Sequence, residues 1–201
     1  SNGMSLTDVK TINTSDADIV GAFASPDAKA AVAWNPQLSV MRGQAGVNQV
    51  FSSADIPGEI LDLLVVDTAT LKANPDLGKA LAGIWYETVS LMVRDDAQGK
   101  EARAAMAKLA GTTPDVFDAQ LKTTRLYVDA KEAVAATTAP QLITTMTKVR
   151  DFSFSKGLFQ GATSADAVGM GFPGGVTLGD PARVTLRFDE SFMKLAADGK
   201  L

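Results

Sequence analysis

Residues 30–38, Ala-Ala-Val-Ala-Trp-Asn-Pro-Gln-Leu, decide the fold that the sequence predicts. The apolar run over residues 30–34 is typical of a strand that is covered on both faces of a parallel sheet. Pro36 ends this strand and can open a helix over Gln37–Arg42. Trp34 then stands at a strand end, where its ring is either a core side chain or the wall of a binding cleft.

Other segments of the first 67 residues alternate in the same way between strand and helix. Further strands are predicted over residues 9–13, 47–51 and 61–67. A short helix with an apolar face is predicted around Ile19, Val20 and Phe23. Strands and helices that alternate at this spacing indicate a right-handed, parallel α/β sheet.

The remainder of the chain is predicted to be mainly helical. Helices are expected over residues 74–96, 100–110, 113–121 and 140–156. The glycine-rich residues 157–179 are predicted to form a loop or a wrapping tail. Residues 184–201 read as a strand followed by a short terminal helix.

The composition excludes several classes of function. The chain has 201 residues, a net charge of −4, and neither histidine nor cysteine. Thiol catalysis, zinc-thiolate sites and disulfides are therefore excluded, and the commonest general base is absent. The acidic charge balance gives no basic surface for nucleic acid. No apolar run approaches the length of a transmembrane helix.

The acidic residues do not form a recognisable catalytic or metal-binding pattern. Asp16 and Asp18 lie two positions apart, so they point to different sides of a helix. Asp62 and Asp67 lie on opposite faces of the predicted strand. We therefore expect no enzyme activity, no metal and no cofactor.

Four residues of the stretch SDADIVGAFASPDAKAAVAWNPQLS carry a resemblance to a known family. The family is the periplasmic solute-binding proteins of ABC importers of the nitrate, sulfonate, taurine and thiamine-precursor type. Asp18 and Phe23 match its helix aspartate and phenylalanine, and Trp34 and Pro36 match its tryptophan and proline. The Trp-Asn-Pro and Ile-Pro-Gly-Glu-Ile sequences resemble the branch described as binding urea or other nitrogen compounds. Asn35 departs from the family, which has an acidic residue there.

The resemblance implies a fold and a division of the chain. The fold would be the type II periplasmic-binding-protein α/β fold, with lobe two over residues 1–58. Residues 59–201 would form the return strand and the helical C-terminal part of lobe one. The chain would then start inside lobe two, so we expect an N-terminally truncated fragment. Such a fragment would be completed by a missing N-terminal segment or would self-associate.

Three of the candidate ligand-binding residues lie at the first predicted helix. Thr14 and Ser15 follow the first predicted strand, where free helix N–H groups can bind a polar or anionic group. Asp18 lies in the first turn. Each has a structural alternative, since hydroxyls cap helices and an acidic residue favours the positive end of a helix dipole.

The other three candidates are Trp34, Asn35 and Glu59. The Trp34 ring would stack on a flat ligand or make a cation–π contact with a positive one. The uncharged Asn35 amide favours a neutral or zwitterionic ligand over a plain cation. Glu59, in the predicted hinge between the lobes, could meet a ligand amine. As structural alternatives, Asn35 opens a turn before proline and Glu59 is a solvated loop charge.

The function that this resemblance implies is capture of a small nitrogen-containing or organic solute in a cleft between lobes. The protein would be exported to the periplasm and would deliver the solute to an importer permease. An alternative is a ligand-sensing or assembly module of the same fold that takes no part in transport.

Overall fold

The computed structural model describes Gly3, Met4 and residues 6–201, with Leu6 described by its backbone alone. The chain divides into two compact units. The first contains residues up to Val50 together with Arg103–Arg125, and the second contains Phe51–Ala102 together with Leu126–Leu201. A single division after residue 58 was expected. In the structure the first boundary follows Val50, and Arg103–Arg125 also belong to the first unit.

Helices dominate the described residues. In chain order they are α1 (Ile19–Phe23), α2 (Gln37–Arg42), α3 (Thr68–Ala73), α4 (Pro75–Met92), α5 (Ala97–Leu109), α6 (Pro114–Leu121), α7 (Ala130–Thr138), α8 (Pro140–Ser155) and α9 (Ser191–Ala197). All the predicted helices are confirmed, with small differences at their ends. Helices α3 and α7 were not predicted from the sequence. None of these helices is both long and apolar enough to cross a membrane.

Local capping explains where several helices begin. Proline occupies the first helical position of α4, α6 and α8, where its missing N–H costs no hydrogen bond. The side chain of Thr113 accepts the backbone N–H of Val116 and so caps α6. The two missed helices also have acidic caps, since Asp67 accepts the N–H of Thr70 and Asp129 accepts that of Lys131.

The four strands predicted in the first 67 residues are not formed, so this prediction was wrong. Residues 9–13, 30–34, 47–51 and 61–67 are not strands, because no described segment pairs with them. The chain there lacks regular structure and many of its apolar side chains are exposed, Val32 by 91% and Val50 by 96%. The parallel sheet expected from these segments is therefore not formed by the described residues. An apolar run predicts a strand correctly only where a neighbouring strand is available.

The sheet that the structure does contain lies in the second unit. It consists of β1 (Gly169–Phe172), β2 (Val176–Leu178) and β3 (Val184–Arg187), in the order β2-β1-β3. β1 pairs antiparallel with β2 and parallel with β3. The prediction of a loop over residues 157–179 was wrong for β1 and β2, whereas the strand and helix predicted at the C-terminal end are confirmed.

The core of the second unit lies between this sheet and α8. Met170 and Phe172 of β1 are buried against Met146 of α8, and Phe172 stacks on Phe188 with ring centroids 5.2 Å apart. Partly buried apolar side chains complete the cluster, namely Leu61, Leu142, Ile143, Val149, Val168, Leu178 and Leu186. One face of the sheet is therefore covered.

Helix α9 packs against α4 and α7 in the same unit. Gly78 of α4 lies against the ring of Phe192, and a Cβ at this position would overlap the ring. In the first unit, α1 contacts α2, and the buried side chains are Met41 of α2 and Ala107 of α5. Arg103 of α5 is also buried, and its Nε lies 2.7 Å from Oδ1 of Asp118 on α6.

Candidate functional site

The first unit presents Trp34 to solvent immediately before α2. The indole is 65% exposed, so it is not a core side chain. The backbone carbonyl of Trp34 accepts the N–H of Leu38 at 2.8 Å, which fixes the chain at the entry to the helix. Because the backbone of Trp34 is fixed and its ring is exposed, the ring can stack on a planar ligand.

The next residue, Asn35, is held in place by a chain of side-chain hydrogen bonds. Ser39 of α2 donates its hydroxyl to Oδ1 of Asn35 at 2.8 Å, and Gln120 of α6 donates Nε2 to the Ser39 hydroxyl oxygen at 3.2 Å. The carbonyl of the Asn35 side chain is thus occupied. Its amide nitrogen has no hydrogen-bond partner among the described residues, so it can donate to a ligand.

Gln37, in the first turn of α2, supplies an acceptor that no sequence pattern indicated. Its Oε1 is buried and receives no hydrogen bond from the residues that the structure describes. A buried acceptor without a donor costs about 1–3 kcal/mol. Protein atoms cover this oxygen, so a ligand N–H reaches it and removes that penalty only when the side chains over it move aside. We refer to Trp34, Asn35 and Gln37 together as the Trp34–Gln37 surface.

Thr14, Ser15 and Asp18 are arranged differently from the expectation. The Ser15 hydroxyl donates to Oδ2 of Asp18 at 2.6 Å, and the Asp18 carboxylate accepts no hydrogen bond from the N–H groups of α1. Thr14 donates its hydroxyl to the carbonyl of Ile12 at 3.4 Å. Neither hydroxyl therefore caps α1. The helix has five residues, which is too short to provide a strong N-terminal dipole.

Glu59 belongs to the second unit, whereas the other five candidates belong to the first. It is half-buried in a turn, where its backbone N–H donates to the carbonyl of Ile56 at 3.1 Å. Gly58 makes this turn possible with a φ of 81°. The Glu59 carboxylate has no hydrogen-bond partner among the described residues, and its role as a ligand contact stays a prediction.

The described residues contain no cluster of three or more acidic side chains that could hold a metal ion. Comparisons of the chain with protein-family models, with curated proteins and with solved structures found no match in any of the three. The Trp34–Gln37 surface therefore stands on its own geometry.

Trp34 and Asn35 were candidates from the sequence, whereas Ser39 and Gln120, which hold Asn35 in place, were not. Ser39 lies four positions after Asn35, and in a helical segment this spacing brings two side chains onto one face. That signal was present in the sequence. Gln120 lies 81 residues further along the chain from Ser39, and no local pattern could have paired them.

Proposed function

We propose that the chain is the solute-binding component of an ABC importer, acts in the periplasm, and captures a small nitrogen-containing or organic solute. The main support is the Trp34–Gln37 surface. It combines an exposed aromatic ring, a free amide donor and a buried acceptor without a donor. These groups bind ligands without any covalent step, as expected of a protein that must release its cargo.

The chemistry of the surface favours a small, neutral, planar ligand of the amide type. The amide nitrogen of Asn35 donates to a ligand carbonyl. Oε1 of Gln37 accepts a ligand N–H once the side chains that cover this oxygen move aside. The indole of Trp34 covers one face of the ligand. A carboxylate ligand would satisfy Asn35 but would place an acceptor against Gln37, so we expect it to bind less well.

The proposed fold remains the type II periplasmic-binding-protein fold, as the resemblance in the sequence implies. The irregular segments of the first 67 residues support this fold, since they have the composition of strands that lack their neighbouring strands. Residues 30–34 and 47–51 in particular have highly exposed valines. In this proposal a further polypeptide segment, or a second copy of the chain, pairs with them, and the loaded protein docks on an importer permease.

The large surface area of the chain also supports the proposal that a partner covers part of it. The accessible surface is 13992 Å², whereas two separate globular bodies with the masses of the two units would expose about 11,000 Å² in total. This comparison does not depend on contact between the units. The excess includes many exposed large apolar side chains, among them Ile60, Leu64 and Val65 of the second unit.

Titration calorimetry with urea, acetamide and acetate tests the proposed function. We expect urea and acetamide to bind and acetate to bind at least tenfold more weakly, since acetate offers no N–H to Gln37. Asn35→Asp should keep the hydrogen bond from Ser39 and lose the donor to the ligand. We expect it to weaken acetamide binding about tenfold.

Trp34→Ala should weaken the binding of both neutral probes about fivefold to tenfold. Trp85→Ala is the matched control, because Trp85 is also a partly exposed indole but lies on α4 in the second unit. Equal losses in the two variants would contradict a site at Trp34. Tighter binding of acetate than of acetamide would contradict the ligand class.

The exposed apolar segments also favour the alternative, an assembly module of the same fold that takes no part in transport. Sedimentation equilibrium over a range of protein concentrations distinguishes the two. A stable oligomer that binds none of the three probes favours the assembly module. Probe binding, by the monomer or by the oligomer, favours the solute-binding protein.

A further inference from the structure

The uncovered face of the sheet in the second unit has a glycine at its centre. Met170 and Phe172 of β1 point into the core, so Gly171 between them faces the other side. In register with it lie Thr177 of β2 and Arg187 of β3. A Cβ on Gly171 would meet Cγ1 of Val184 at 3.3 Å and Cγ of Arg187 at 3.5 Å, so the glycine keeps this face open.

This face forms the floor of a depression of about 700 Å³. The turn Pro173–Gly175 and the loop after β3 form its sides. All the lining residues belong to the second unit, so this depression is separate from the Trp34–Gln37 surface. Its volume lies within the range of small-molecule sites.

Two arginines line the depression without an acidic partner. Among the described residues, no carboxylate lies within 4.0 Å of the guanidinium of Arg183 or Arg187. Arg150 in the same unit is different, because its guanidinium pairs with both Asp151 and Asp166 at 2.8 Å. Arg183 also lines a second, smaller depression of about 260 Å³.

Two acidic residues, Asp189 and Glu190, line the same depression beyond β3. Oδ1 of Asp189 accepts the N–H of Ser191 at 2.8 Å, so this carboxylate has a structural role at the start of α9. The carboxylate of Glu190 has no hydrogen-bond partner among the residues described. The two arginines and two acids give the depression no net charge and line it with groups of both signs.

We propose that this depression binds a small zwitterion, a molecule with a carboxylate at one end and an amine at the other. The ligand carboxylate pairs with the guanidinium groups of Arg183 and Arg187, which suit planar oxyanions. The ligand ammonium pairs with Glu190. The open hydroxyl of Thr177 supplies a further hydrogen bond to the carboxylate. A plain anion would satisfy the arginines but would be repelled by Glu190.

An NMR titration of the full chain tests this proposal with three amino acids of increasing length, glycine, β-alanine and γ-aminobutyrate. Butyrate and butylamine serve as probes that lack one of the two charges. We expect at least one amino acid to shift the backbone amide signals of residues 169–190. Butyrate and butylamine should bind at least tenfold more weakly. Butyrate has no ammonium group to pair with Glu190, and butylamine has no carboxylate to pair with the arginines.

Arg187→Gln and Glu190→Gln should each weaken binding of the amino acid at least tenfold. Lys72→Gln is the matched control, because it removes an exposed charge from α3 and should change nothing. Gly171→Ala tests the floor and should weaken binding, whereas Gly83→Ala on α4, where an added Cβ meets open space, should not.

Three results would overturn the proposal. One is the absence of any shift with all three amino acids. The second is butyrate binding as tightly as the amino acids, which would indicate a simple anion site. The third is an equal loss in Lys72→Gln and Arg187→Gln, which would indicate attraction by net charge alone. The outcome is independent of the Trp34–Gln37 surface, because a probe can bind at either site without the other.

Discussion

Replacing Gln37 by methionine should stabilise the protein and weaken the binding of its ligand. The buried Oε1 of Gln37 has no donor among the described residues, and such a group costs about 1–3 kcal/mol. Methionine has a similar length and no carbonyl, so it removes the penalty and leaves little or no cavity. We expect the free energy of unfolding to rise by about 1 kcal/mol. This value is at the lower end of that range because Gln37 as a whole is only half-buried.

Guanidinium chloride unfolding followed by circular dichroism measures this change. Urea is unsuitable as the denaturant, because it is one of the expected ligands. A gain of about 1 kcal/mol corresponds to a rise of about 2–4 °C in the melting temperature of a chain of this size. Gln98→Met on α5 is the control, because the exposed Gln98 should change stability by less than about 0.5 kcal/mol.

Two results would refute the reasoning. A loss of stability in Gln37→Met larger than that in Gln98→Met would mean that Oε1 is satisfied in the folded protein. Unchanged acetamide binding in Gln37→Met would mean that the ligand does not donate to this oxygen. A gain in stability together with weaker binding would identify Gln37 as a group whose hydrogen bond is completed by the ligand.

Two further predictions concern the second unit. Gly78→Ala should destabilise it by about 1–3 kcal/mol, because the new Cβ overlaps the Phe192 ring, whereas Gly83→Ala on the same helix should stabilise it by about 0.5–1 kcal/mol. Thermal unfolding of the two variants side by side measures the contrast, and a stable Gly78→Ala would contradict the packing of α9 on α4. The backbone N–H and then the hydroxyl of Thr70 lower the pKa of the Asp67 carboxyl below its ordinary value of 3.8. The stabilisation by this cap is therefore present above that value and is lost as the pH falls through the lowered folded-state pKa. Melting temperatures between pH 2 and 6 should fall less steeply in Asp67→Ala, and parallel curves would contradict the role of this carboxylate.

The helices could be predicted from the sequence because their signals are local. Proline at the first helical position and a threonine cap mark the start of α6, and the apolar face of α4 repeats with helical spacing. The missed helix α3 begins where the predicted strand over residues 61–67 ends. Asp67 was assigned to that strand, although an aspartate is one of the preferred helix caps.

The sheet could not be predicted because its determinants are distant in the sequence. β1 contains Gly169 and Gly171, and glycine ordinarily weakens a strand. Gly169 is required there because a Cβ would overlap the backbone carbonyls of Asp180 and Arg183. In the same way, the sequence left two alternatives for Trp34, a buried and an exposed ring. The hydrogen bond from Gln120 to Ser39, which supports Asn35, joins residues too distant in the sequence to be predicted.

The unpaired segment at residues 60–66 has a consequence for handling the protein. Ile60, Leu64 and Val65 are exposed, and the backbone amides of this segment form no hydrogen bonds within the described residues. Short apolar segments with free amides readily stack between chains into cross-β fibrils. A net charge of −4 gives weak colloidal repulsion against this process. We therefore expect turbidity to rise with storage time, most strongly near the isoelectric point of about 4.8.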